Sequence, residues 1–126
     1  MGPFADAEVV ALAILTPVSA QRVTATAPSW EPPLTLVQRV GGSDDRITDY
    51  PQLQVTCFGA DRPTSWAMAE QARQLILDAG GREFAGALVD STSTVTPAVQ
   101  IDDPRTDVRA VTATYQLAMR RPRQSA

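Results

Sequence analysis

The chain of 126 residues reads as a single α+β domain, a mainly antiparallel β-sheet with two helices packed on it. Three observations predict it. Two segments, one near the start and one mid-chain, combine helix caps with a helical distribution of apolar residues. Four longer segments alternate in the manner of strands that bury one face. Their order, helix, weak strand, two strands, helix, two strands, favours hairpins over parallel crossovers. A chain of this length buries roughly two thirds of its unfolded surface, enough for one core.

The first helix is predicted over residues 4–16. Pro3 suits a first helical position, Asp6 and Glu8 favour the positive end of the helix dipole, and Pro17 ends it. At about 100° per residue, Val9, Val10, Leu12, Ile14 and Leu15 point nearly all round the axis. Such a helix needs cover on more than one side, from its own core or from a neighbouring subunit. Val10 and Ile14 are the positions expected at a subunit contact. Gln21 to Ala27 alternates as a short strand, and Pro28, Pro32 and Pro33 mark an irregular connection around Trp30.

A strand near 34–40 leads into a turn-rich loop, Gly41-Gly42-Ser43-Asp44-Asp45-Arg46, and then a strand at 52–58. There Leu53, Val55 and Cys57 share one face, with Gln52, Gln54 and Thr56 on the other. These strands form a hairpin with a long polar tip. The second helix is expected over 62–79: Asp61 caps it, Pro63 sits near its start and Gly80-Gly81 stops it. Met68, Ala72, Leu75 and Ala79 form its packing stripe. Strands near 87–96 and 107–120 complete the sheet. The last one alternates Val111, Ala113, Tyr115, Leu117 and Met119 with an almost uncharged second face, which suits a position inside the sheet. Residues 121–126 have no pattern and are expected to fray.

Composition then limits the chemistry. The chain carries formal charge −3, with no histidine, and arginine supplies all eleven of its basic residues. His-based acid–base catalysis, Ser–His nucleophiles, histidine metal sites, lysine Schiff bases and the P-loop lysine are therefore absent. A broad basic face for nucleic acid is absent too. Cys57 stands alone, so neither an intrachain disulfide nor a cysteine zinc site forms. No apolar run approaches the roughly 20 residues of a membrane-spanning helix. Val18-Ser19-Ala20 mimics a signal-peptide cleavage site, but the acidic Asp6 and Glu8 precede it, so a soluble protein of a reducing compartment is expected.

The motifs that remain each have a bland reading. Asp44, Asp45, Asp49 and Asp102, Asp103, Asp107 repeat an Asp-Asp-x-x-x-Asp pattern that either binds a hard cation or makes turns. The spacing lacks the alternating acids, central glycine and closing Glu of a calcium loop, and no metal is expected. Gly41-Gly42-Ser43 resembles part of a phosphate loop without the strand-to-helix setting that aims amides at phosphate. Cys57 reads as a small buried hydrophobe. Ser19, Ser43, Ser65 and Ser125 have no partner to activate them. Trp30 and Trp66 either close the edge of the core or anchor a protein contact. Arg120, Arg121 and Arg123 make a basic end, either solvated or in contact with an acidic neighbour or DNA phosphate. No catalytic residue and no cofactor are expected.

The hairpin carries a resemblance. The run Val40-Gly41-Gly42-Ser43-Asp44-Asp45-Arg46-Ile47-Thr48-Asp49-Tyr50-Pro51, followed by Ala60-Asp61-Arg62 and the helix with Glu70-Gln71-Ala72, resembles the tail terminator proteins of long-tailed bacteriophages. The likeness extends over about residues 4–120 and departs from the family pattern between Asp90 and Asp103. It implies a structural virion protein of the tail or neck, assembled in the host cytoplasm. Such proteins form a homo-hexameric ring that caps the tail tube, stops its polymerisation and forms the head–tail joint. The implied partners are further copies of the chain, the major tail tube protein and a head–tail connector or stopper protein. DNA passes through the lumen without specific binding, and no membrane is involved.

Within that reading the tip, with Gly41, Gly42, Asp44, Asp45, Arg46 and Asp49, is expected to touch an adjacent subunit or the tube. Arg46 is its candidate for a two-pronged bond to a carboxylate. The neighbouring alternative is a connector adaptor or stopper. The distant ones are a carboxylate-based, metal-dependent enzyme and a monomeric binding module.

Overall fold

The last strand occupies the middle of the sheet, where its uncharged second face leads one to expect it. A computed structural model describes residues 4–18, 21–23, 33–102 and 109–120. Its elements are α1 (Ala7–Ile14), β1 (Gln21–Val23), β2 (Leu34–Asp44), β3 (Thr48–Phe58), α2 (Arg62–Leu77), β4 (Arg82–Phe84), β5 (Ala87–Asp102) and β6 (Arg109–Arg120). The strands form one six-stranded sheet in the order β1-β2-β3-β6-β5-β4. Only the β1–β2 pair is parallel; the other four pairs are antiparallel. The class is α+β.

Both helices pack on the same face. Val37, Leu53, Val55, Cys57, Val89, Val111, Ala113, Tyr115, Leu117 and Met119 point into a core shared with α1 and α2. On α2 the packed stripe is Ser65, Met68, Ala69, Ala72 and Ile76, while Leu75 is only partly buried. Ile76 thus takes the place expected of Leu75. The small residues at 65, 69 and 72 let the helix approach the sheet closely. Asp61 caps α2 by accepting from Thr64 N at 2.8 Å. A Cβ on Gly59 would lie 2.5 Å from Ser65 N, so this position has no room for a side chain where β3 turns into the helix.

The helix boundaries shift for local reasons. α1 starts at Ala7 instead of Phe4 because the Asp6 carboxylate accepts from Glu8 N at 2.9 Å, fixing the cap there. It ends at Ile14, with Leu15 as its C-cap. The face buried by α1 comprises Ala7, Val10, Ala11 and Ile14, and Val9 is left in solvent. Val10 (0% exposed) and Ile14 (3%) are therefore core residues of their own chain, with no surface left for a neighbour. This corrects the subunit contact expected of them. The sheet below and α2 beside it supply the second side of cover that the sequence demanded.

The strands also run further than their patterns suggest. β2 continues to Asp44 and β3 begins at Thr48, so Gly41, Gly42 and Asp44 are strand residues and the turn shrinks to Asp45–Ile47. β5 extends past residue 96 to Asp102, through register shifts between Val89 and Ser91, Thr94 and Thr96, and Thr96 and Val99. Those irregularities break the alternation that marks a strand. The short β4 pairs with β5 through Ala85 and Gly86, both at positive φ (50° and 81°), the geometry of a tight two-residue hairpin. Trp30, Asp103, Asp107, Arg121 and Arg123 lie outside the described residues.

Because Ile14 is a core residue, Ile14→Ala should destabilise the isolated chain by about 2–5 kcal/mol. Urea unfolding followed by circular dichroism should show a lower midpoint at unchanged slope. Ile14→Asp should leave the chain unfolded even when monomeric.

Candidate assembly surface

The β2–β3 hairpin holds its shape through one arginine. At residue 40 the register slips: Arg39 faces Leu53, but Gly41 already faces Gln52, leaving Val40 as the extra residue of a bulge. Arg39 sits at that slip and reaches along the helix-covered face. Its Nη1 and Nη2 donate to Asp49 Oδ2 and Oδ1 at 3.0 and 2.9 Å, and its Nε donates to the Gly41 carbonyl at 3.3 Å. The backbone N–H of Arg39 donates to Glu8 Oε2 at 2.9 Å, which ties α1 to the edge of β2. A cleft of about 330 Å³ opens between the start of α1 and the hairpin, with Asp6, Glu8, Arg39, Asp44 and Asp49 on its walls.

The expected tip residues therefore have different tasks. Asp49 is turned inward, 2% exposed, and paired with Arg39, so it braces the hairpin and offers nothing to a partner. Within the chain, Arg39 makes the two-pronged bond to a carboxylate, that of Asp49. Asp45 closes the turn: its Oδ1 accepts from Ile47 N and Thr48 N, both at 2.7 Å. Those backbone donors hold its carboxyl below the usual range. Gly42 has φ 112°, and a Cβ there would strike the Tyr50 carbonyl oxygen and lie 2.9 Å from Gln52 N. A glycine is required for the strands to close on each other. Asp44, Arg46 and Gly41 remain on the exposed side. Sequence reasoning missed Arg39, Glu8, Val40 and Ile47; Arg39 stood inside a regular strand pattern, and nothing local marks a bulge.

The opposite face of the sheet is uncharged in its centre. Register places Ile101, Ala110, Phe58 and Leu34 in one row, then Val99, Thr112, Thr56 and Leu36, then Thr96, Thr114, Gln54 and Gln38, then Ser93, Gln116, Gln52 and Gly41. Thr56 and Thr112 share a hydrogen bond at 3.0 Å, and Gln52 Nε2 donates to Gln116 Oε1 at 3.4 Å. The Leu34 and Ala110 corner is closed to solvent, whereas β5 is exposed at residues 93–97, at Val99 and at Ile101.

The model of a family described as phage tail termination protein matches residues 3–126, almost the whole chain. The chain belongs to this family. It is a structural protein of the phage tail and neck, a virion component that assembles with other tail proteins. Among solved structures, a chain titled "Virion of native gene transfer agent (GTA) particle" shares the fold, with TM-score 0.56 and 14% identity. The match covers 92% of this chain and 87% of that one. No curated protein matches this chain significantly.

In this tail protein several described groups with chemical potential are engaged in structural contacts. Cys57 is buried, and burial pushes its thiol up to about 11, only partly offset by the Thr35 hydroxyl. Burial likewise pushes Tyr115 up to about 12. Ser65 Oγ accepts from Gly59 N at 2.8 Å and donates to the Asp61 carbonyl at 3.0 Å. Trp66 packs against the core, its Nε1 donating to Gln100 Oε1 at 3.3 Å. Arg120 pairs with Asp90 at 3.0 Å. Among the described residues no three acids, cysteines or histidines converge as a metal site, and no helix is long and apolar enough to cross a membrane.

Arg39→Ala strands the buried Asp49 carboxylate and should cost about 1–3 kcal/mol. Arg39→Lys should recover only part of it, because an ammonium cannot make the fork. Chemical denaturation of both variants, with Asp49→Asn closing the cycle, checks this.

Asp45 accepts from the backbone N–H groups of Thr48 and Ile47, and Asp61 from the hydroxyl and the backbone N–H of Thr64, so both carboxyls are held below their ordinary range. Groups depressed in this way contribute stability that is complete above the unfolded value and lost as pH falls through the folded one. The melting temperature should hold from pH 7 to 5 and decline below about pH 4. In the Asp45→Asn, Asp61→Asn double variant that acid decline should shrink.

Proposed function

We propose that this protein is the terminator of its tail: a homo-hexameric ring that caps the tail tube, stops its polymerisation and presents the joint to the head's connector or stopper protein. The family match over residues 3–126 carries this reading. The fold supports it, since Cys57, Tyr115, Ser65 and Trp66 all serve the packing of the described core. The proposed role is therefore assembly without catalysis, with the ring built from single-domain subunits in the host cytoplasm and seated on the major tail tube protein. DNA passes through without specific binding, in keeping with a net charge of −3 and the lack of a basic face.

The hairpin tip is the element that reaches the tube or an adjacent subunit. Its exposed Asp44 precedes, and Arg46 lies within, a turn held by Asp45, and Asp49 with Arg39 braces the strands beneath. A single exposed ion pair contributes only about 0–1 kcal/mol, but repeats around a ring act together.

Deleting the gene should give overlong tails and heads without tails, seen by electron microscopy of lysates. Uniform tails of normal length would move the protein to a head-side neck position, as an adaptor or stopper. In the same complementation assay Asp44→Ala with Arg46→Ala, sparing Asp45, should lower tail completion sharply at a nearly unchanged melting temperature. Full complementation by that variant would return the tip to a solvated turn.

A further inference from the structure

The large hydrophobic side chains left exposed among the described residues are Val9, Val40, Ile47, Val95, Val99 and Ile101, each between 43 and 68% accessible. They fall into two groups. Val9, Val40 and Ile47 lie on α1 and the β2–β3 hairpin, while Val95, Val99 and Ile101 lie along β5. β3 and β6 separate β2 from β5, so the groups lie toward opposite edges of the sheet. We propose that these are the two halves of one contact between copies of this chain: the hairpin side of one subunit seats on the β5 strip of the next. The proposal rests on the ring reading and names the surface that would build it.

Charge favours this occupant. From Ser91 to Ile101 β5 carries no charged residue, although a fifth of the chain is charged. Depletion of charge at the centre of a patch, with a polar and charged rim, is the anatomy of a protein interface. The hairpin supplies that rim with Asp44, Asp45 and Arg46 around Val40 and Ile47. Copies of an acidic chain repel one another, and a neutral strip is the part of its surface where a second copy approaches without meeting fixed charge.

The mode of contact follows from the strand itself. Among the described residues, the outer edge of β5 is paired with β4 only at Ala87–Val89. Pro97 and the two bulges around it disrupt a regular ladder, as edge strands protected against indiscriminate pairing do. The seat is therefore made by side chains. A contact between two different patches is head-to-tail, and repeated by a rotation that divides the circle it builds a ring.

Two variants test this. Ile47→Asp with Val40→Asp spoils the hairpin side, and Val99→Asp with Ile101→Asp spoils the strip. All four side chains are exposed, so the monomers should melt within a few degrees of wild type. Assembly is read by native mass spectrometry, with wild type and variants alone and on purified tail tubes. Each variant alone should lose all higher oligomers. Mixed together, they should form a heterodimer and nothing larger, because the mixture holds one intact patch of each kind. Wild-type-like assembly of either variant, or a mixture that stays monomeric while wild type assembles, overturns the proposed surface and leaves the ring reading standing. A wild type that remains monomeric both alone and on tubes overturns the ring reading, and the interface with it.

Discussion

The alternation of β6 is the constraint on which the rest of the structure depends. As the strand between β3 and β5 it is hydrogen-bonded on both edges, and its side chains set the character of both faces of the sheet. Val111, Ala113, Tyr115, Leu117 and Met119 all point toward the helices. A slip of one residue would exchange these with Ala110, Thr112, Thr114, Gln116 and Ala118, exposing the core on every neighbouring strand at once. The register is therefore strongly determined, and with it the side on which α1 and α2 lie. The carbonyl of Pro17, just past α1, accepts from Gln71 Nε2 at 3.2 Å, which joins the two helices above that face.

The hairpin inherits this rigidity through Arg39. A bulge leaves one residue without a partner and bends the strand, and by itself it would leave the tip loosely aimed. Here the fork to Asp49 spans the bulge, while Glu8 holds the backbone at the same residue. Helix, bulge and hairpin become one unit. A structural protein that assembles with other tail proteins benefits from such rigidity, because a preorganised surface loses little entropy on docking.

The distribution of charge separates the two faces in function. Ion pairs and acids lie at the hairpin, the α1 start, along α2 and at the sheet corner where Arg120 meets Asp90. The centre of the face away from the helices is left to Thr, Ser, Gln and apolar residues. Hydroxyl and amide groups pair among themselves there, as Thr56 does with Thr112, and remain compatible with water until a partner arrives. A tail protein must stay soluble before assembly and lose little desolvation energy during it, and uncharged polar groups meet both demands better than ions do.

The sequence by itself determined the α+β class, the Asp61-capped second helix, the hairpin, the buried faces of β3 and β6, and the tail terminator resemblance that the family match shows to be correct. Those features are written in local spacing: period-2 alternation, caps and glycine stops act over a few residues and are legible without coordinates. It also excluded histidine and lysine chemistry outright. What only the tertiary structure decided lies across the chain. Val10 and Ile14 have the same spacing whether a neighbour or their own sheet covers them, and the sheet covers them. Asp45, Asp49 and Arg46 are adjacent in sequence yet become a turn clasp, a buried brace and an exposed tip. Arg39 acquired its role because strand pairing places it on the face it shares with Asp49, ten residues away. The bulges and Pro97 hid the outer half of β5 from any alternation test. Cover, pairing and exposure are properties of contacts between distant segments, and a linear pattern fixes which side chains share a face without fixing what that face will meet.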